Sequence, residues 1–371
     1  MLFSAMLYHH VCLESFGYTL PDEVVTSDEI EHRLQPLYQR LRLPEGRLEL
    51  MTGIKERRFW KRGTLPSGPS VASGEKALQA ASISRDDIGC LIHASVCRDY
   101  LEPATACGVH QRLGLPAACM IYDISNACLG FLNGMLQIAN LIELGQIKAG
   151  LVVASEGSRE LVETTIEHLN ADLSLTRDTV KLAVASLTIG SGSVAAVLCH
   201  SDLSQTNNRL LGGVVQCDTS GSQLCHSGRD EAAAGQMRPL MQTDSEALMH
   251  AGVALGARAF EAFLAELGWT RDDVAKTFCH QIGSGHRKLM FDKLGLSTRL
   301  DFTTLEFLGN TGSVALPITM AMGCEQGSLS ANDCVSLLGI GSGINTIMLG
   351  LEWQRSQVAG GTESELLAAS H

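Results

Sequence analysis

The sequence predicts a layered α/β fold built from two similar halves, and three observations support that prediction. Three pairs of segments recur in the same order at offsets of 184 to 186 residues: SRDDIGCLIHAS with TRDDVAKTFCHQ, SNACLG with GNTGSV, and AGLVVASEGS with CVSLLGIGSG. Short apolar runs are typical of strands that are buried on both faces. Helical patterns alternate with these runs, so we expect sheets covered by helices.

The first half is predicted to span residues 1–205. Its strands are expected at CLIHASV, AGLVVAS and SVAAVLC, which begin at residues 90, 149 and 193. The apolar period of FLNGMLQIANLIELG predicts a helix between the first and second of these strands. Parallel strands joined by crossover helices are the expected connection for this order.

The second half is predicted over residues 206–355, after a polar seam, SDLSQTNNRL, at 201–210. GVALGARAFEAFLAELG predicts a long helix, and CVSLLGIGSG predicts a strand. The polar, glycine-rich segment 218–245 is expected either to cover a channel or to loop out at the surface. Residues 356–371 contain mostly small and polar side chains, and we expect them to form a mobile tail.

Composition excludes several classes of function. The net charge of −12 disfavours nucleic-acid binding, which needs clustered lysine and arginine. No uninterrupted apolar run approaches the roughly 18 residues of a membrane span, and the N-terminal residues lack the basic region of a signal peptide. The 12 cysteines include no C-x-x-C motif, so no metal site is predicted. We expect a cytoplasmic protein with reduced thiols.

Three candidate catalytic side chains lie at matched places in the two halves. Cys128 in DISNACLGF and Asn310 in LGNTGSVALP occupy equivalent strand–turn–helix junctions, and His280 in FCHQIGSGH follows a strand of the second half. Sites of α/β proteins usually form at the carboxyl ends of strands. We therefore predict that these three residues form one site.

These residue types suit nucleophilic catalysis. A helix N-terminus lowers the pKa of a cysteine, and a neighbouring histidine favours the thiolate or donates to a substrate carbonyl. An asparagine amide can donate to a developing oxyanion. Each residue alone also has an ordinary structural explanation. The same residue types occur in papain-like proteases, although the repeat and the absence of C-G-S-C-W speak against that class.

The chain resembles the thiolase superfamily, and within it the β-ketoacyl-ACP synthase III group, from Val11 to Trp353. TGIKERRF, DISNACLGF, CHQIGSGH, LGNTGSVALP and GIGSGIN occur in the family's order. The resemblance implies a thiolase-like α-β-α-β-α sandwich. It also implies that Cys128 is the nucleophile, with His280 and Asn310 completing its site.

The resemblance has further implications. The backbone at Cys128 and Ser342 is expected to form the oxyanion hole, and two subunits are expected to pair through strands of the first half. The substrates would be thioesters of CoA or of an acyl carrier protein, and no separate cofactor is expected. One departure is visible, because the family often has an asparagine after HQA, whereas here Ile282 and Gly283 follow CHQ.

Glu102, in VCRDYLEPATA, is a candidate base in a loop after a strand. On composition alone, a solvated loop glutamate beside a proline is the simpler interpretation. VCRDYLEPATA and LMTGIKERRFW are, however, similar to the OleA group, the acyl-CoA condensing enzymes of long-chain olefin biosynthesis. In that group the corresponding glutamate reaches the partner's site. The resemblance thus implies that Glu102 removes the α-proton of a second acyl-CoA.

Residues 40–62 contain eight lysines or arginines against three glutamates, in a protein that is acidic overall. An ordinary solvated helix and turn would explain this charge. The alternative is an entrance for the phosphates of CoA or of a carrier, with Arg57 and Arg58 as ligands. Trp60 would stack on the adenine or simply pack in the core.

The predicted function is a Claisen condensation through an acyl-cysteine intermediate, in which two fatty acyl-CoAs are joined head to head without decarboxylation. The alternative is a decarboxylative β-ketoacyl-ACP synthase III that uses malonyl-ACP. A non-catalytic scaffold and a papain-like hydrolase are the remaining possibilities.

Overall fold

The computed structural model describes residues 6–228 and 240–363, and most of its strands belong to one mixed sheet. The strands are β1 (Met6–Leu7), β2 (Val11–Thr19), β3 (Glu23–Thr26), β4 (Glu56–Phe59), β5 (Ile88–Ala94), β6 (Met120–Ile124), β7 (Ala149–Glu156), β8 (Gly192–His200), β9 (Arg209–Cys217), β10 (Cys225–Ser227), β11 (Met241–Thr243), β12 (Val274–Cys279), β13 (Asp333–Gly341), β14 (Asn345–Trp353) and β15 (Val358–Ala359).

Helices pack against both faces of this sheet, and some of them lie between its two halves. They are α1 (Ser27–Arg33), α2 (Gln35–Leu41), α3 (Arg47–Thr52), α4 (Ser67–Ala81), α5 (Thr105–Leu113), α6 (Gly130–Glu143), α7 (Arg159–Ala171), α8 (Arg177–Val180), α9 (Ser245–Leu267), α10 (Ser284–Leu294), α11 (Leu305–Leu308) and α12 (Ala315–Glu325).

The two halves repeat one strand order, which confirms the predicted duplication. The first half runs β2-β8-β7-β5-β6 and the second β9-β14-β13-β12, and the two meet where Cys12 pairs with Arg209. The first four strands of each half correspond, and in both halves the third and fourth of them are parallel, β7 with β5 and β13 with β12. β8 and β14 are antiparallel to both of their neighbours. The expectation of purely parallel sheets is therefore wrong, and the sheets are mixed.

The layers follow from where apolar side chains are buried. Helices α6 and α12 lie between the two half-sheets, and their residues share one core cluster with strands of both halves. A Cβ on Gly339 of β13 would lie 2.5 Å from Leu132 of α6, so a larger residue there would require the leucine to shift. Helices α4 and α5 cover the outer face of the first half, and α9 and α10 cover that of the second. The α-β-α-β-α sandwich is confirmed.

The predicted seam agrees with the structure, whereas the predicted C-terminal tail needs correction. The link between the halves lies at 201–208, within the expected seam. Residues 358–363, which we expected in a mobile tail, instead pair with the first half: β15 runs parallel to β2, and the Glu363 amide donates to the Leu20 carbonyl. The predicted cover segment 218–245 includes β10 and β11, while its residues 229–239, like the tail residues 364–371, lie outside the described residues.

Within the described residues, α9 alone has the length and apolar character of a membrane span. Its buried residues, among them Phe260 and Phe263, pack in the core of the second half. The apolar character of α9 is thus accounted for by packing inside the protein.

Candidate active site

Cys128 lies in a tight turn between β6 and α6. Ala127 before it has a φ of 45°, and Leu129 after it is the N-cap residue of the helix. A non-glycine residue in the left-handed region is uncommon and clusters at functional sites. The turn places the thiol just outside the helix N-terminus, as the sequence predicts.

The electrostatic expectation for Cys128 is wrong. Burial, with smaller contributions from the nearby Cys225 and Glu156, raises the pKa of its thiol to about 12. The helix begins at Gly130, two residues after Cys128. The resting thiol is therefore protonated, and acylation needs a group that accepts its proton.

His280 follows β12 directly and is 3% exposed. Its amide donates to the Leu338 carbonyl of β13 (3.1 Å), while neither ring nitrogen has a hydrogen-bond partner within the described chain. Burial, with a smaller contribution from His286, lowers the pKa of His280 to about 3. At neutral pH the imidazole thus has one free donor and one free acceptor for a substrate or thiol.

Asn310 is held by its own backbone and side chain. Its amide donates to Thr188 O (2.9 Å), and its carbonyl accepts from the Gly190 amide (2.9 Å). Its Oδ1 accepts from the Gly312 amide (3.0 Å), which fixes the rotation of the side chain. The Nδ2 group is left as the available donor, because no partner for it occurs in residues 6–228 or 240–363.

Side-chain hydrogen bonds join the loops that contain these three residues. Ser313, three residues after Asn310, accepts from the Phe131 amide of α6 (3.0 Å) and donates to the Ala94 carbonyl (2.6 Å). Gln281, next to His280, accepts from the amides of Thr304 and Leu305 (2.9 and 2.8 Å). These links fix the Cys128 and His280 loops relative to the Asn310 loop.

Ser342 begins the turn between β13 and β14, beside the Cys128 turn. Its carbonyl accepts from Asn345 Nδ2 (3.0 Å), and Asn345 Oδ1 accepts from Asn126 Nδ2 (3.2 Å). A Cβ on Gly341 would lie 3.6 Å from the Cys128 amide nitrogen. The Gly341 backbone, which precedes Ser342, thus lies beside the Cys128 amide, in the region where the oxyanion hole is predicted.

A cavity of about 180 Å³ opens on the His280 side of the site. His280, Gln281 and His286 line it together with Gly53 and Ser284, at the start of α10. Burial lowers the pKa of His286 to about 4, so this second imidazole is also neutral. No group of three or more potential metal ligands occurs in the described parts of the chain.

Glu102 makes no hydrogen bond or ion pair with Cys128, His280 or Asn310 within the described residues of the one chain. It lies at the exposed tip of the loop between β5 and α5, next to Tyr100 and Leu101, which are 57% and 61% exposed. An exposed apolar tip is a feature that a partner surface would cover.

The structure corrects the prediction of a phosphate site at Arg57 and Trp60. Arg57 is fully buried in β4 and donates to Ser27 Oγ (3.1 Å), and burial lowers its pKa to about 10. Trp60 is buried, and its Nε1 donates to the Glu156 carbonyl (3.0 Å). Arg58 faces the other side of β4, is partly exposed and donates to the Pro21 carbonyl (2.8 Å), so it alone remains a candidate.

Sequence reasoning missed two polar residues of the site. Gln281 is buried and also donates to the Phe302 carbonyl (2.9 Å). Glu156 is a buried carboxyl group at the end of β7. A charged residue that ends an otherwise uncharged strand, AGLVVASE, was the available signal.

Comparison with known proteins gives two family matches. Residues 122–218 match the model of 3-oxoacyl-[acyl-carrier-protein] synthase III, and residues 264–353 match the model of its C-terminal part. The acyl-CoA:acyl-CoA alkyltransferase of Shewanella oneidensis is 44% identical, over 94% of this chain and all of that protein. The enzyme of the same name from Xanthomonas campestris is 34% identical over equal coverage.

Comparison with solved structures gives the same kinds of relatives as comparison of sequences. OleA of Xanthomonas campestris, with a TM-score of 0.88 and 34% identity, covers 94% of this chain, and one of its structures holds lauric acid and lauroyl-CoA. FabH of Xanthomonas oryzae has a TM-score of 0.87 and 33% identity. OleA has been solved with a glutamate, a cysteine or a histidine replaced. That glutamate and cysteine are 26 positions apart, the same separation as between Glu102 and Cys128.

Proposed function

The chain belongs to the 3-oxoacyl-[acyl-carrier-protein] synthase III family of acyltransferases, and we propose that it condenses two fatty acyl-CoAs head to head without decarboxylation. The observation that favours this reaction over the malonyl-dependent one is the glutamate at the same spacing from the nucleophile as in the alkyltransferase-type relative. The 44% identity to an acyl-CoA:acyl-CoA alkyltransferase also supports it.

The first step is acylation of Cys128. The thiol transfers its proton to the neutral His280 as sulfur attacks the thioester carbonyl, and CoA leaves as its thiol after taking up that proton. The amides of Cys128 and Ser342 would stabilise the oxyanion of the tetrahedral intermediate. The raised pKa of Cys128 makes the neutral, unpartnered imidazole of His280 necessary for this step.

The second step forms the carbon–carbon bond. Glu102 removes the α-proton of a second acyl-CoA, and the carbanion attacks the acyl carbonyl on Cys128. Cys128 leaves as the thiolate and regains a proton, and the product is a β-keto acyl-CoA. His280 and the free Nδ2 of Asn310 would donate to the enolate oxygen. No malonyl carboxylate is lost, so a base is required, and Glu102 supplies it.

This scheme needs a homodimer, with Glu102 of one subunit acting in the site of the other. Edge strand β6 supports this, because among residues 6–228 and 240–363 it pairs only with β5, and its Met120 and Ile121 are 42% and 36% exposed. An exposed apolar strand edge is a template for pairing with another chain. The apolar segment SVAAVLC is not such an edge, since it is β8, an interior strand between β2 and β7.

The substrates we propose are fatty acyl-CoAs, with Arg58 as a candidate contact for the CoA phosphates and an acyl carrier protein as the alternative carrier. No further cofactor is part of the scheme. We also propose a cytoplasmic location, which the twelve unpaired cysteines support.

Product analysis tests the proposal. Purified protein is incubated with lauroyl-CoA alone, and then with malonyl-CoA or malonyl-ACP added. We expect a β-keto product from lauroyl-CoA alone and a lauroyl adduct on Cys128 by peptide mass spectrometry. Product only after malonyl thioester is added would show the decarboxylative synthase instead. No adduct at all would show a non-catalytic scaffold.

A further inference from the structure

Glu156 is a buried carboxyl group that neither step above uses. It ends β7, is 5% exposed, and lies near the Cys128 thiol, whose pKa it raises. It also lies against the Asn310 loop, because a Cβ on Gly312 would be 3.5 Å from the Glu156 Cδ. A buried carboxyl is costly unless several donors satisfy it, so its hydrogen bonds indicate its role.

Both carboxyl oxygens of Glu156 accept hydrogen bonds from the start of the Glu102 loop, which we define as residues 95–104. The Val96 amide donates to Oε1 (2.9 Å) and the Cys97 amide donates to Oε2 (3.2 Å). The Ser313 amide is a further donor. Burial raises the pKa of Glu156, and these donors act against that rise.

The far end of the Glu102 loop is held in a similar way. Asp123 of β6 accepts from the amides of Thr105 and Ala106, the first two residues of α5 (2.7 and 2.9 Å). Between the segments that Glu156 and Asp123 hold, the chain is exposed at Tyr100, Leu101 and Glu102. Two fixed ends therefore determine the direction in which the tip projects.

We infer that Glu156 is a positioning residue for condensation, which fixes the base of the Glu102 loop to the Asn310 loop of its own subunit. Its effect reaches the partner's site, because the loop it holds delivers Glu102 there. This inference rests on the proposed function for the role of Glu102, but the anchoring itself is a property of the single chain.

Hydrogen–deuterium exchange of the intact protein tests the anchoring without any activity assay. In Glu156→Gln one acceptor oxygen becomes an NH₂ group that faces an amide donor, so one of the two clamping bonds is lost. We expect exchange within the Glu102 loop to accelerate about tenfold or more, with α6 unchanged. Unchanged exchange in the loop overturns the inference.

Glu14→Gln is the matched control. Glu14, in β2, is also buried and accepts from the Gln205 amide and the Ser204 and Thr206 hydroxyls. We expect faster exchange only near residues 204–206 in this variant. Acceleration of the Glu102 loop in the control would show general loosening and would count against a specific role for Glu156.

Mixed dimers then locate the effect. A Cys128→Ser subunit paired with a Glu102→Gln subunit has one complete site, in which the first supplies Glu102 and the second Cys128. Adding Glu156→Gln to the Glu102-supplying subunit should reduce condensation about tenfold or more while Cys128 acylation is retained. Adding it to the other subunit should have a smaller effect. Equal losses, or the reverse order, overturn the inference. A mixed dimer without Glu156→Gln that fails to condense would contradict the proposed function, not the anchoring.

Discussion

The loop after β5 and the loop after β12 occupy equivalent places in the two halves but differ in length and exposure. The first, residues 95–104, projects with Glu102 at its exposed tip. The second, residues 280–283, begins with the buried His280 and lines the interior cavity. A duplicated fold thus keeps one of the two loops for its own site and, under the proposed function, supplies the other to a partner.

The next strand–helix turn of each half shows a similar contrast. The turn before α6 presents Cys128, the proposed nucleophile, whereas the equivalent turn in the second half presents Asn310, the proposed neutral donor. Duplication provides two equivalent frames at the carboxyl ends of strands, and substitution then divides the chemistry between them. The predictions below test this division.

The largest effect is expected for Cys128→Ser. A hydroxyl in place of the thiol is a much weaker nucleophile, so acyl transfer should fall by about a thousandfold or more. The small change should leave thermal unfolding within a few degrees of wild type. Retention of most of the activity would show that the nucleophile is elsewhere.

Glu102→Gln should have the next largest effect, and it distinguishes the role of the Glu102 loop from that of the His280 loop. Acylation of Cys128 should be retained, while condensation falls about a hundredfold or more, because the general base is removed. Rapid-quench measurement of the acyl adduct and of product distinguishes the two steps. Glu167→Gln, at an exposed site on α7, is the control and should change neither. Condensation by Glu102→Gln at the wild-type rate would show that Glu102 is only a solvated loop residue.

Gln281→Leu should act on the second-half loop alone. It leaves the Thr304 and Leu305 amides without their acceptor, at a cost of about 1–3 kcal/mol each, and displaces His280 relative to Asn310. Acylation and condensation should fall together, by about tenfold. Gln281→Glu retains the acceptor for both amides and should recover much of this loss. Unequal effects on the two steps would argue against a shared positioning role.

Each half also has a buried neutral histidine, which predicts how stability depends on pH. Burial lowers the pKa of His93 on β5 to about 4 and that of His280 to about 3, against 6.5 unfolded. Because the folded pKa is lower, the contribution to stability is complete above pH 6.5 and is lost as pH falls toward 4 and 3. The loss should be about 1–2 kcal/mol per histidine between pH 7 and 5.

Urea unfolding at pH 7 and pH 5 measures this dependence. His93→Gln should reduce the drop in unfolding free energy between the two pH values, since glutamine does not titrate. Asp301 acts in the opposite direction, because burial raises the pKa of its carboxyl to about 6. An unchanged pH dependence in His93→Gln would mean that His93 is not the neutral, buried group described here.

The fold, the duplication and the positions of Cys128, His280 and Asn310 were predictable from the sequence, because each lies in a motif that recurs at a fixed offset. The burial of Arg57 was not inferred, although the alternation in ERRF of β4 separates it from the outward-facing Arg58. The raised pKa of Cys128 depends on desolvation by residues distant in sequence, which no local pattern records. The proposed role of Glu102 depends on a second chain, so neither the sequence pattern nor one subunit determines it.

Complementation in mixed dimers tests the division between the two loops most directly. Cys128→Ser protein and Glu102→Gln protein, each inactive in condensation alone, are unfolded together, refolded at equal concentration and assayed with lauroyl-CoA. Random pairing makes half of the dimers mixed, each with one complete site, so condensation should return to about one quarter of the wild-type rate. No recovery above the sum of the two separate variants would contradict a base supplied by the partner subunit.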